Sequence, residues 1–254
     1  MPARARVDRD IAALAIPALG ALVAEPLFLL VDTALVGHLG TTPLAGLGLA
    51  SAVLGTLIGL LVFLAYATTP AVARRIGLGD LPGALRVGVD GVWFALGIGV
   101  LLGGALAVSA PVLVRAFGAS DAVAAQAVTY LAVSALGIPA MLGVLAATGV
   151  LRGLQDTRTP LVVATIGFGL NALLNAALIY GAGLGIAGSA LGTVLAQWAM
   201  FAGYALVVRR AARSHGVALA PHGAGVRGIA GSGGWLLLRT ASLRVALLLS
   251  LIHI

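Results

Sequence analysis

Six times along this chain an apolar run reaches or exceeds the roughly 20 residues that a hydrocarbon core about 30 Å thick requires of a helix. The runs are Ile11 to Val36, Leu44 to Ala73, Leu85 to Val114, Ala122 to Leu151, Leu161 to Tyr180 and Ile186 to Val208. Backbone groups in lipid have no water to bond, so separate runs of this length satisfy themselves as helices. The expected fold is all-α and integral to a membrane: a six-helix transmembrane bundle, with the start of a seventh helix from Trp235 to Ile254, where the sequence stops inside an apolar run. Composition agrees, with 9% of the 254 residues charged and 61% hydrophobic, against about a quarter charged in ordinary soluble domains.

All fifteen basic residues are Arg, and their placement sets the expected topology. Twelve of them fall on one side: Arg4, Arg6 and Arg9 in the tail, then Arg74, Arg75 and Arg86, Arg152 and Arg158, and Arg209, Arg210, Arg213 and Arg227 in alternate loops. Arg115 alone falls opposite, and Arg239 and Arg244 lie in or beside the seventh run. Because Arg-rich loops stay in the cytosol, residues 1–10 are expected to be a cytoplasmic tail, 11–210 the six-helix lobe, 211–234 a cytoplasmic linker and 235–254 the truncated seventh helix. The Gly37 to Pro43 and Gly181 to Gly185 loops should then be extracytoplasmic and the Arg152 to Pro160 loop cytoplasmic. This is the topology of a multi-pass protein of the inner (plasma) membrane with its N-terminus in the cytosol. The basic opening MPARARVDRD precedes an apolar run too long for a signal peptide.

The absence of Cys removes disulfides and thiolate sites, and neither CxxC nor HExxH occurs, so no metal site is expected. His38, His215, His222 and His253 fall in loops or at the tail. With no Ser-His or His-Glu constellation inside the spans, a membrane protease or transferase is disfavoured, and the chain is not read as an enzyme. Nor does any long basic helix offer a nucleic-acid surface.

Inside the spans the polar residues stand out. Glu25 and Asp32 are seven residues apart and so share one helix face; an intramembrane acid is by default a functional hypothesis. Pro17 and Pro26 each remove a backbone donor, so this helix is expected to bend there. Asn171 and Asn175 sit one turn apart on the fifth span, Thr193 and Gln197 repeat the spacing on the sixth, and Tyr130 lies about two turns into the fourth. Singly, such residues mostly hydrogen-bond between helices; together they can wall a polar pocket around one acid. Asp80, Asp90, Asp121 and Asp156 read as loop or loop-proximal residues with solvated or structural roles. Gly55 with Gly59, and Gly99 with Gly103, form small-xxx-small faces for helix contact.

Three separated motifs then carry a resemblance. EPLFLLVDTALVGHLG followed by LAGLGLA, VLRGLQDTRTP between spans four and five, and NALLNAALIYGAGLGIAGSALGT closely resemble the N-terminal lobe of the multidrug and toxic compound extrusion (MATE) transporters, in their DinF-like branch. The resemblance implies a cation-coupled antiporter that exports amphipathic or cationic compounds by alternating access, in a two-lobe protein whose C-terminal lobe is the missing partner of this one. It implies no cofactor beyond the coupling ion, H+ or Na+. By it, Asp32, Asn171, Asn175 and Thr193 fall at the cation-coupling site and Tyr130 at the substrate cavity; Gln197, from its spacing to Thr193, and Glu25, which shares the face of Asp32 but lies outside the match, are placed at that cavity from the residues themselves. Pro17 falls at the hinge proline of the first helix; Pro26, beside Glu25, is the second expected hinge from its own lack of a backbone donor. Asn175 departs from members with Asp there, and Gln155 stands where Gly is commoner. Two other readings stay open: a lipid-linked oligosaccharide flippase, whose cavity should be Arg-lined, and a membrane piece in which the polar residues only join helices.

Overall fold

The computed structural model describes residues 29–223 without a break, together with 15, 16, 19, 20, 23, 26, 225–228, 231, 234, 235, 238–240, 242 and 243; of 63–66 only the backbone is described. Among the described residues there are helices and no strand. They are α1 (29–37), α2 (Thr41–Leu61), α3 (Phe63–Gly77), α4 (Leu81–Ala116), α5 (Asp121–Ser134), α6 (Ile138–Gly153), α7 (Arg158–Ala176) and α8 (Gly185–Ser214). A 3-10 turn, Ala135–Gly137, joins α5 to α6, and a π turn, Ala177–Gly181, ends α7.

Five described units are long and apolar enough to cross a membrane: Thr41–Leu61, Leu81–Ala116, Asp121–Gly153, Arg158–Gly181 and Gly185–Ser214. Helix α1 is the described end of the first expected span. The expected second span continues from α2 into α3 through Val62, whose φ of −57° and ψ of −18° stay close to helical. The expected fourth span is interrupted, and Pro139 is the reason. Proline has no N–H to return to the carbonyl four residues back, and the Ala135 carbonyl accepts from Ile138 N–H in a tighter turn instead. At 36 residues α4 is about 54 Å long, so it extends beyond the core on its own. The expected linker from 211 starts later, because α8 runs on to Ser214, and the expected seventh helix, 235–254, lies largely outside the described residues.

Packing follows small residues. α4 lies against α6, α3 against α6, α2 against α5 and α7 against α8. A Cβ on Gly99 would lie 3.0 Å from the Pro139 nitrogen, and one on Gly103 would lie 2.5 Å from the Ala135 carbonyl oxygen, so the α4 glycine pair lets this helix close onto the α5–α6 break. A Cβ on Gly55, in α2, would meet nothing within 4 Å among the described residues. Two apolar clusters result. One surrounds Val36, Leu106, Tyr130, Leu131, Leu142 and Ile186; the other surrounds Val72, Val89, Val150, Tyr204 and Val208.

The connections at the basic end are built by caps. Asp80 accepts from Gly83 N–H at 2.8 Å and from Arg75 at 2.7 Å, and those two partners, the amide first, hold its carboxyl below the usual carboxylate range. Asp156 accepts from the backbone of Arg158 and Thr159 and from the Thr159 hydroxyl, which starts α7. Gln155 before it has φ +63°, the left-handed region, which accounts for the preference for Gly there. Asp90 differs from its reading as a loop-proximal acid. It lies within α4 at 1% exposure.

Candidate functional site

The acid at the centre of the sequence reading is buried where three helical segments meet. Asp32, on α1, is 5% exposed. Its Oδ1 accepts from Asn175 Nδ2 at 2.7 Å, across from α7, and from Ser189 Oγ at 2.8 Å, across from α8. Both bonds fall on one oxygen; Oδ2 accepts none from the described residues. The Asn175 amide can reach because α7 and α8 touch at Gly192, where a Cβ would collide with Asn175 Oδ1 and lie 3.2 Å from its Cγ. That close approach leaves Asn175 fully buried and its Oδ1 without a hydrogen-bond partner.

One turn deeper, Asn171 Nδ2 donates to Thr193 Oγ1 at 3.0 Å. Tyr130, buried on α5, sets its hydroxyl among Thr193, Ser189 and Ser134, within electrostatic reach of Asp32. Ser134 Oγ is itself buried and unpartnered. The result is a compact group of carboxyl, amide and hydroxyl groups with spare acceptor capacity at Asn175, Ser134 and Asp32. Buried polar groups are normally paired, and spare buried acceptors make a place where a proton or a small cation can be held.

Helix α1 is also fixed at its end. In its last turn the Leu39 amide donates to Val36, one residue off the helical pattern, leaving the Leu35 carbonyl without that donor. Tyr180 Oη, in the π turn that ends α7, donates to Leu35 O at 2.5 Å. A terminal carbonyl is satisfied by a side chain, one turn from Asp32.

The sequence-predicted residues divide accordingly. Asp32, Asn171, Asn175, Thr193 and Tyr130 come together. Gln197 does not join them: its Oε1 is lodged against Gly137 in the 3-10 turn, beside Trp198, whose indole N–H donates to Leu136 O. Pro26 is exposed, while Glu25 and Pro17 lie outside the described residues. Ser189 was missed. The signal was present, since Ser189, Thr193 and Gln197 follow one another at four-residue spacing on α8, and the stripe starts one turn earlier than the Thr193–Gln197 pair.

These features define a polytopic helical membrane protein with a buried carboxyl–amide–hydroxyl centre. The chain belongs to the MatE family, whose model matches residues 17–177, a family of membrane transport proteins that includes multidrug efflux. Over 211 residues it is 32% identical to the DNA damage-inducible protein F of Escherichia coli K12, covering 83% of this chain and 46% of that one. It is 29% identical over 197 residues to a probable multidrug resistance protein NorM of Thermotoga maritima, covering 76% and 42%. Among solved structures, a MATE protein in the bent conformation superposes with a TM-score of 0.83 at 29% identity, covering 95% of this chain and 55% of that one. A MOP superfamily transporter from Pyrococcus furiosus gives 0.82 at 28%, covering 94% and 54%. The chain therefore spans about half the length of the relatives it matches.

Proposed function

We propose that this chain is the N-terminal lobe of a secondary antiporter that exports amphipathic or cationic compounds in exchange for H+ or Na+, with Asp32 as the residue that holds the coupling ion. The observation that carries the reading is the buried Asp32 carboxyl: one oxygen is held by donors from two other helices, and the other is left open. A group so placed changes its hydrogen bonding when it gains or loses a proton or a cation. The changed bonds run between α1 and the α7–α8 pair, so occupancy biases how α1 packs on that pair, and a two-state element of this kind is what alternating access requires. The Asn171–Thr193 pair and Tyr130 form the inner wall of the same centre. With Asn at 175 in place of a second acid, the site has one carboxyl, which favours a single proton or a loosely held ion.

The flippase reading lacks support in the described spans. Arg86, Arg115, Arg152 and Arg158 stand near helix ends, and the centre itself has none.

The test is gradient-driven efflux in proteoliposomes carrying the full-length protein. Asp32→Asn keeps size and hydrogen-bonding capacity but cannot titrate, so drug binding should persist while proton- or sodium-driven export falls at least about tenfold. Export by Asp32→Asn equal to that of the parent, at matched protein level, refutes the assignment. Ser189→Ala removes a partner of the acid and not the acid itself, and its loss should be smaller.

A further inference from the structure

Far from Asp32, at the basic end of α4, a second polar cluster lies outside the site above. Arg86, Asp90 and Trp93 are spaced four and three residues apart and so form one stripe on the helix. Arg86 Nη1 donates to Ala218 O at 2.9 Å and its Nη2 to Ala220 O at 2.8 Å. Trp93 Nε1 donates to Leu219 O at 2.8 Å. Asp90 Oδ1 accepts from Arg86 Nη2 at 3.1 Å and from the His222 backbone N–H at 2.8 Å. Three consecutive carbonyls and one amide of the segment that follows α8 are thus taken by three side chains of α4.

The segment is suited to this. Residues 217–222 are neither helix nor strand, so their polar backbone groups need partners from elsewhere. Val217 and Leu219 alternate along it, and both pack against the cluster around Val89, Val150 and Val208, while the carbonyls turn toward Arg86 and Trp93. Gly225 closes the arrangement: a Cβ there would collide with Asp90 Oδ2 and lie 2.9 Å from its Cγ. An acid buried to this degree inside α4 is costly unless paired, and its two partners are the guanidinium that reads the segment and the segment itself.

We propose that Arg86, Asp90 and Trp93 form a clamp that fixes residues 217–223 to this lobe, with Gly225 against Asp90, so that the linker leaving α8 moves with the lobe as one body and delivers the following chain at α4. A linker in this state transmits lobe movement directly, whereas a free tether absorbs it. The mechanical part of this proposal rests on the transporter reading above; the clamp itself does not.

Hydrogen exchange of the purified 254-residue chain in nanodiscs tests the clamp. Peptides spanning 216–223 should be protected, and Asp90→Ala should cut the protection of the His222 amide by about tenfold, the effect of losing one hydrogen bond to a charged group. Peptides around Asn175 and Ser189 should exchange as in the parent. Trp93→Phe removes the indole N–H together with its five-membered ring while keeping an aromatic side chain, and serves where Asp90→Ala does not fold; it should loosen the same peptides to a smaller degree. Exchange of 216–223 at the free-chain rate in the parent, or unchanged in both variants, overturns the clamp. In the full-length protein, Trp93→Phe and Asp90→Ala should lower gradient-driven export with substrate binding retained. Loosened linker peptides with export unchanged overturn the mechanical role. Absence of export by the parent would count against the transporter reading and leave the exchange result standing.

Discussion

Gly192 offers the most direct test of the Asp32 centre, because it gives Asn175 its position without touching the acid. In Gly192→Ala the new Cβ would collide with Asn175 Oδ1, 3.2 Å from Cγ and 3.0 Å from the Asn175 backbone nitrogen. Asn175 is fully buried and has no room to retreat, so either α7 and α8 part or the amide rotates away from Asp32. Overpacking of this kind costs about 1–3 kcal/mol, and the 2.7 Å bond to the carboxyl, if broken, about 1.5–3 kcal/mol more. A total near 2–4 kcal/mol is expected, since relaxation relieves part of each. With Asn175→Ala already present the amide is gone, and the same Gly192→Ala change meets only the backbone nitrogen, at a cost below about 1 kcal/mol. The two substitutions should therefore couple by about 2 kcal/mol in a double-mutant cycle, read by reversible denaturation of the purified chain in mixed micelles. An equal cost of Gly192→Ala in both backgrounds, within error, would refute the argument that the α7–α8 contact places Asn175 against the acid.

Gln155 holds a left-handed backbone, φ +63°, so Gln155→Gly should raise the stability of the chain by up to about 1 kcal/mol, measured in the same denaturation assay; a loss of stability would show that the Gln side chain makes an unrecognised contact. The Asp80 carboxyl is held below its usual range by the Gly83 amide and Arg75. With the folded value below the unfolded one, its stabilisation is present above the unfolded value and lost as pH falls through the folded one. Asp80→Asn should accordingly be less stable than the parent at neutral pH, with the gap closing in acid below about pH 4. A gap that stays constant with pH would remove the charge from the account. Single Cys labels in this Cys-free chain test the topology: a label at Ala182 should react with an impermeant reagent from outside intact cells and one at Gln155 should not, the reverse result overturning the orientation read from Arg placement.

The spans were legible in the sequence because a helix in lipid satisfies its backbone within itself, so apolar length locates each of them. Five described spans overlap the runs, although the second run divides into α2 and α3 and α8 continues to Ser214, and the residues that face one another along a single helix, Asn171 with Asn175 and Thr193 with Ser189, follow from four-residue spacing alone. The motifs located Asp32, Asn175 and Thr193 as candidates before any geometry. Which of them meet was a different matter. The Asp32–Asn175 and Asp32–Ser189 bonds join residues 143 and 157 positions apart, and they exist because glycine at 192 lets two backbones come close, a property of a pair of helices and not of either one. Gln197 had the right chemistry and spacing, yet the 3-10 turn set by Pro139 presents Gly137 to it and keeps it from the centre. Asp90 read as an acid near a loop because nothing local to α4 announces that a segment 132 residues later returns to bond it. Hydrophobicity and helical period act over a few turns and are written in consecutive residues; the pairing of buried polar groups depends on how whole helices pack, and only the tertiary structure decides it.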